Sequence, residues 1–347
     1  MANARPRSAR IDLDALRSNY RSLATLAAGR DLIAVVKADA YGHGAVPVAR
    51  ALCQIGCSSL AVVTVQEAEE LRAAEIDVSI LVLGGVGTAE EASRAVELGL
   101  TPVLHHAQHL ELVNEAVQKL STFCDVQVEV DTGMRRMGVS YSEAEALIFE
   151  LAKSDGIRFQ GVFTHLACAD EEDLAPTREQ LRLFSELLDK LETHGLLPPQ
   201  VHVLNSAGLL ASSEHPEFLK RSTAVRPGLS LYGVSPAAHF TQDLEPVMTV
   251  TALATQVCDL GQGDAVGYGA TYHAPKPTRV LTLPLGYADG VPCHLGNVGE
   301  VLVGGARRSI VGRVSMDFIT IDAGDGAASL GEEVLFFGKN ADGCLRV

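Results

Sequence analysis

The chain has 347 residues, 47% of them hydrophobic, with 32 glycines, no tryptophan and a formal net charge of −15. That length suits one large barrel plus a smaller domain. So acidic and aromatic-poor a chain argues against nucleic acid or an anionic membrane as partner, because it offers neither phosphate-neutralising charge nor a stacking platform.

In chain order, Ala9-Arg10-Ile11 reads as a short strand. Asp12 or Asp14 then caps a helix running through Tyr20 and Leu23 to Leu26, with Gly29 as its stop. From there strand and helix patterns alternate. Strands are predicted at 32–37, 60–65, 79–83, 101–104, 125–130, 159–164, 201–204 and 225–232. Helices are predicted at 45–55, 66–74, 88–98, 107–119, 141–153 and 177–194, the last opening on Thr177-Arg178-Glu179-Gln180, the spacing of a capping box. Eight strands with helices between them fit an α/β fold, a (β/α)8 TIM barrel. A doubly wound sheet is the alternative. The count of eight and the polar residues at strand ends favour the barrel. Near 235 helical periodicity stops. Segments 247–258, 265–272, 279–286, 300–303, 308–314, 317–322 and 333–337 read as strands of an all-β domain. Two domains are expected, 1–235 and 236–347, with the first ~10 residues free to pair with the β-domain.

The remaining composition bounds the setting. Met1 to Arg10 is basic but has no apolar core, so it does not read as a signal peptide, and no apolar run reaches the ~18 residues of a membrane span. The seven cysteines are Cys53, Cys57, Cys124, Cys168, Cys258, Cys293 and Cys344, with no C-x-x-C pair. Most read as small buried hydrophobes in a reducing, cytoplasmic compartment.

The chemistry gathers at the carboxyl ends of the predicted barrel strands, the face where barrel enzymes act. The run Leu32-Ile33-Ala34-Val35-Val36 ends on Lys37, followed by Tyr41 and the turn Gly42-His43-Gly44. An amine backed by an apolar strand is placed to stay neutral, the form that condenses with a carbonyl. A lone lysine there would ordinarily be a snorkelling side chain. Strand 5 leads into Asp131-Thr132-Gly133-Met134-Arg135-Arg136-Met137-Gly138. Strand 6 ends in Thr164-His165, strand 7 in Asn205-Ser206-Ala207-Gly208, and strand 8 carries Arg226-Pro227-Gly228. Barrels bind phosphate with the loops after strands 7 and 8, where Ser206 offers a hydroxyl and Gly228 an open N–H. Each residue alone is ordinary loop chemistry. A lysine able to form an imine beside a phosphate site implies pyridoxal phosphate.

The β-domain adds Gly267-Tyr268-Gly269-Ala270-Thr271-Tyr272, Leu285-Gly286-Tyr287-Ala288-Asp289-Gly290 and Gly312-Arg313-Val314-Ser315-Met316-Asp317. Together these motifs resemble the alanine racemases of the barrel-plus-β-domain type, from about residue 9 to residue 338. The resemblance implies that Lys37 carries pyridoxal phosphate. It implies that Tyr268, delivered from a second subunit of a homodimer, is the opposite catalytic base. Tyr41, Ser206 and Gly228 would hold the phosphate, Arg226 would face the pyridine nitrogen, and His165 would pack against the ring. Arg136 and the Met316 backbone would orient the substrate carboxylate, and Tyr287 would line the entrance. Racemisation needs a base on each face of the α-carbon, and a phenol, with its usual pKa near ~10, needs a cationic neighbour to serve. Arg226, by reach, is the candidate neighbour or part of a relay to it. Because a guanidinium cannot accept a proton, Arg226 should also leave the pyridine nitrogen unprotonated, which weakens the electron sink and limits side reactions.

The reaction implied is interconversion of L- and D-alanine, with D-alanine supplied to peptidoglycan precursors. A racemase acting on serine or basic amino acids, and a non-catalytic pyridoxal-phosphate-binding protein, are the alternatives. Some relatives carry a carbamylated lysine two residues before Asp-Thr-Gly-Met. Here Glu129 stands there, already anionic, and is expected to hold Arg136. Family members also continue past Leu335-Phe336-Phe337-Gly338 by about a strand and a helix, bringing a tyrosine to the phosphate. With the sequence stopping at Val347, the expectation is that either the chain is a fragment or the phosphate has one donor fewer, a donor worth ~1.5–3 kcal/mol. His105-His106-x-x-His109 has metal-like spacing but no companion acid and reads as surface histidine, so no metal is expected. Gly84-Gly85-Val86-Gly87 lacks the rest of a dinucleotide fingerprint.

Overall fold

The computed structural model describes residues 6–324, 328–341 and 343–345. Met1 to Arg5 and the last two positions, 346–347, lie outside them. The chain forms two compact units, Leu13–Glu245 and the pair of segments Met1–Asp12 and Pro246–Val347.

The first unit is a closed parallel barrel. Its strands, numbered 1–8 from here, are Asp31–Val35, Ser59–Val62, Ser79–Val82, Thr101–Leu104, Cys124–Asp131, Ile157–Phe163, Gln200–His202 and Ala224–Val225. Each pairs with the next, and strand 8 pairs back onto strand 1. The strands are apolar because both faces are covered. Inside, Ile33, Val35, Ala61, Leu81, Val103, Phe163 and Ala224 form one buried cluster. Outside lie the helices, each burying one stripe. Thr64 begins the helix Val65–Ala73 with a reciprocal capping box to Glu67.

The second unit is antiparallel. Arg7–Ile11 pairs with Met248–Leu253, which pairs with Glu333–Asn340. The sheet continues through Glu300–Val303, Ala306–Val311, Ile319–Gly324, Thr278–Leu283 and Gln256–Leu260. Its core includes Leu281, Leu283, Val301, Ile310, Ile321 and Val334, all nearly inaccessible.

Several expectations need correction. Strand 8 is two residues, not 225–232: Pro227 has no N–H for the ladder, and the chain turns into a 3-10 turn at Leu229–Tyr232. The predicted strand 247–258 breaks at Ala254-Thr255 into two. The stretch 265–272 is a short hairpin, Ala265–Val266 against Tyr272–His273, with Tyr268 in the connecting turn. The helix predicted at 177 starts at Ala175 with Pro176 in its first turn, so Thr177 and Gln180 lie inside it and point inward, both buried. Only Cys57 and Cys124 are buried, whereas Cys258, Cys293 and Cys344 are exposed on the β unit.

Candidate functional site

Lys37 does not simply precede a glycine turn. Ala38, Asp39, Ala40 and Tyr41 all have positive φ, between 51° and 55°, making one left-handed turn. L-residues pay roughly 1–2 kcal/mol each for that conformation, so the turn must be held from outside. The Ala38 N–H donates to the Glu67 carboxylate at 2.7 Å, and the Ala45 N–H donates to Asp39 Oδ1 at 2.6 Å. Glu67 also accepts from the N–H groups of Val63 and Thr64. A carboxylate after strand 2 thus clamps the turn after strand 1. Glu67 and Asp39 went unrecognised in the sequence. The Thr64-x-x-Glu67 spacing was the signal available for the first.

The left-handed turn directs Tyr41 across the barrel mouth. Its ring lies 4.9 Å from that of Tyr232, whose hydroxyl donates to Val35 O. A Cβ added to Gly228 would fall 2.5 Å from the Tyr41 hydroxyl oxygen. The Gly228 N–H donates to Ser206 Oγ at 2.9 Å, as do the Ser230 N–H and hydroxyl at 3.2 and 3.0 Å. So Tyr41, Ser206 and Gly228, far apart in sequence, meet in one cradle, and Ser230 joins them. Hydroxyls and backbone N–H groups are the donors a phosphate dianion takes, and the missing Cβ at Gly228 leaves the space. The residues present fit the phosphate of pyridoxal phosphate.

Arg226 lies beneath, 3% exposed. It donates to the carbonyls of Thr164 (2.9 Å) and His202 (3.1 Å), and its guanidinium sits 4.5 Å above the Phe163 ring. It also donates to His202 Nδ1 and, at 3.4 Å, to His165 Nδ1. Because a guanidinium only donates, His202 Nε2 must carry that ring's hydrogen, and it donates to Gln127 Oε1 at 2.6 Å. Gln127 in turn donates to Gln200 Oε1 at 2.5 Å. This chain of His202, Gln127 and Gln200 behind Arg226 was not foreseen. Burial pulls the Arg226 pKa down to about 10, with Glu129 acting against that, so it stays cationic at neutral pH. Burial, helped by the charges of Arg226, Arg136 and Lys37, takes His165 down to about 3, so its ring is neutral.

Thr132 and Thr164 share a hydrogen bond of 2.7 Å, and Gln180 ties their loops together. Its amide donates to His165 O at 2.9 Å and accepts from the Ala167 N–H at 2.9 Å. Arg136, on the loop after strand 5, is exposed and makes no hydrogen bond or ion pair among the described residues. Glu129 makes no ion pair with it among the described residues, although the Arg136 charge acts on the Glu129 carboxyl; that carboxyl is buried, and its Oε2 sits 3.5 Å from His105 Nδ1. The histidines correct another expectation, since His105 and His109 are buried, not on the surface. His109 packs where a side chain on Gly85 would collide, 2.7 Å from its Cβ position. No cluster able to hold a metal ion exists among the described residues.

The β unit presents Tyr268 at 73% exposure, with Tyr287 and Met316 also exposed. Tyr287 and Met316 lie together: the N–H groups of Tyr287 and Ala288 donate to Ser315 O and Met316 O, both at 3.0 Å. Gly286 permits this, because a Cβ there would lie 2.2 Å from Met316 O.

Comparison with known proteins follows both units. Residues 11–236 match the family model "Alanine racemase, N-terminal domain" and residues 247–347 match "Alanine racemase, C-terminal domain". The chain is 41% identical to an alanine racemase of Sorangium cellulosum, over 98% of this chain and 90% of that one. It is 42% identical to one of Syntrophobacter fumaroxidans, over 90% of this chain and 82% of that one. Among solved structures it resembles the biosynthetic alanine racemase of Pseudomonas aeruginosa (TM-score 0.89, 36% identity, 98% of this chain and 92% of that one). It also resembles the alanine racemase of Streptomyces lavendulae (TM-score 0.90, 35% identity, 97% and 88%).

Proposed function

Because the chain belongs to the alanine racemase family, we propose a specific division of labour among its residues. The enzyme is pyridoxal-phosphate dependent and interconverts L- and D-alanine. The observation that carries the assignment of residues is the convergence of Tyr41, Ser206 and Gly228 on one cradle beside the Lys37 turn. When bound, the cofactor supplies an electron sink that stabilises the charge left at the α-carbon as its proton departs.

Lys37 holds the cofactor through its amine, and its Nζ moves a proton on one face of the α-carbon. Tyr268 moves a proton on the other face, so what leaves one side returns on the opposite side. Tyr41, Ser206 and the Gly228 N–H bind the phosphate, and Ser230 supports them. Arg226 faces the pyridine nitrogen, and neutral His165 packs against the ring. Arg136, exposed and without a hydrogen bond or ion pair among the described residues, takes the substrate carboxylate with the Met316 backbone, and Tyr287 lines the entrance. Tyr268 comes from the second subunit of a homodimer, a reading supported by its exposure on its own unit. Seven cysteines without a disulfide support a reducing, cytoplasmic setting. No described helix is long and apolar enough to cross a membrane. The product, D-alanine, serves peptidoglycan precursors.

The test is D-alanine formation from L-alanine by the purified chain with added pyridoxal phosphate. The Lys37→Ala variant is expected to lose the activity. A variant that kept the wild-type rate would remove Lys37 from the mechanism.

A further inference from the structure

His105 follows strand 4 and Glu129 lies in strand 5, and both side chains are buried at the barrel mouth. His105 Nε2 is 2.9 Å from Leu83 O, and a carbonyl only accepts, so Nε2 carries a hydrogen. Nδ1 is buried with no hydrogen-bond partner, and Glu129 Oε2 lies 3.5 Å from it. A bare imidazole lone pair against a bare carboxylate would be two desolvated acceptors face to face, the arrangement buried polar groups avoid. One proton between them removes the conflict.

We propose that Glu129 and His105 share one proton and act as a positioning pair that sets the charge presented to Arg136. Protonated, the pair is net neutral. Deprotonated, it is an anion. The proposal rests on the reading of Arg136 as the partner of the substrate carboxylate. Glu129 is faced by Arg226, Arg136 and Asp131, and His105 by His109 and His106. Burial raises the Glu129 pKa and lowers His105 to about 4, so the proton belongs on the carboxyl and not on the imidazole. The neutral pair leaves Arg136 to the substrate. Once the proton is lost, the anion competes for Arg136. Substrate affinity therefore weakens as pH rises through the titration of the pair, whereas a fixed anionic anchor would lose its hold only on acidification.

The experiment is KM and kcat for L-alanine from neutral to alkaline pH, in the wild-type holoenzyme and in Glu129→Gln. The glutamine amide can donate to Nδ1 but cannot titrate. The ratio of wild-type to variant KM should rise about threefold, the scale of an exposed ion pair, without a matching change in the kcat ratio. A ratio constant with pH overturns the proposal. Should Glu129→Gln not fold, the infrared spectrum of the wild-type holoenzyme decides. A carboxylic-acid carbonyl band present at neutral pH and lost on alkalinisation supports the pair, and its absence refutes it. A wild-type chain without racemase activity would sink the proposed function, while the infrared band would still judge the pair.

Discussion

At the residue scale, one missing carbon opens the cradle proposed for the phosphate. The position of a Gly228 Cβ is 2.5 Å from the Tyr41 oxygen but 3.3 Å from the ring carbon that carries it. Gly228→Ala should therefore weaken cofactor retention at least about tenfold, roughly the cost of losing one good hydrogen bond to a charged group. Adding Tyr41→Phe to that variant removes the colliding atom and should recover part of the loss, although Tyr41→Phe alone only removes a donor. Cofactor dissociation followed by absorbance measures both. Equal retention in wild type and Gly228→Ala would show that the phosphate binds elsewhere. Ser206 and Gly228 were legible from their places after strands 7 and 8. Ser230 was not, because its predicted strand conformation hid that a 3-10 turn returns it to Ser206.

At the element scale, the left-handed turn after strand 1 depends on a carboxylate from the next βα unit. Glu67 accepts three N–H groups, from Ala38, Val63 and Thr64, whereas Thr64 caps only its own helix. Thr64→Ala should cost about 1 kcal/mol of stability, a typical cap, and leave kcat near wild type. Glu67→Ala should cost about 2–3 kcal/mol and also lower kcat several-fold, because it frees the turn that aims Lys37 and Tyr41. Thermal midpoints and kcat for the two variants make the comparison. Equal effects on kcat would mean that Glu67 acts only as a helix cap.

For the whole molecule, the testable statement is the second subunit. If Tyr268 serves the partner's Lys37, then Lys37→Ala and Tyr268→Ala homodimers are both inactive. Unfolding and refolding them together gives mixed dimers with one site intact and one doubly damaged. Random pairing makes half the dimers mixed, so about a quarter of wild-type activity should return. Sedimentation should give twice the 36.7 kDa chain mass. No recovery from mixed dimers would place Tyr268 in its own subunit's site.

Alternating strand and helix periods, the glycine-punctuated β segment and the residues at strand ends were readable from the sequence alone, because each depends on neighbours a few positions away. The left-handed turn, the inward-facing Gln180, the buried His105 beside Glu129 and the chain from Arg226 to Gln200 were decided only by tertiary structure. Their partners are remote: Arg226 and His202 lie 24 residues apart, His202 and Gln127 75, and Gln127 and Gln200 73. A local pattern reports which face of an element is apolar. Which polar group waits on the far side of a closed barrel is fixed by the order in which the strands pair, and that appears only when strand 8 meets strand 1.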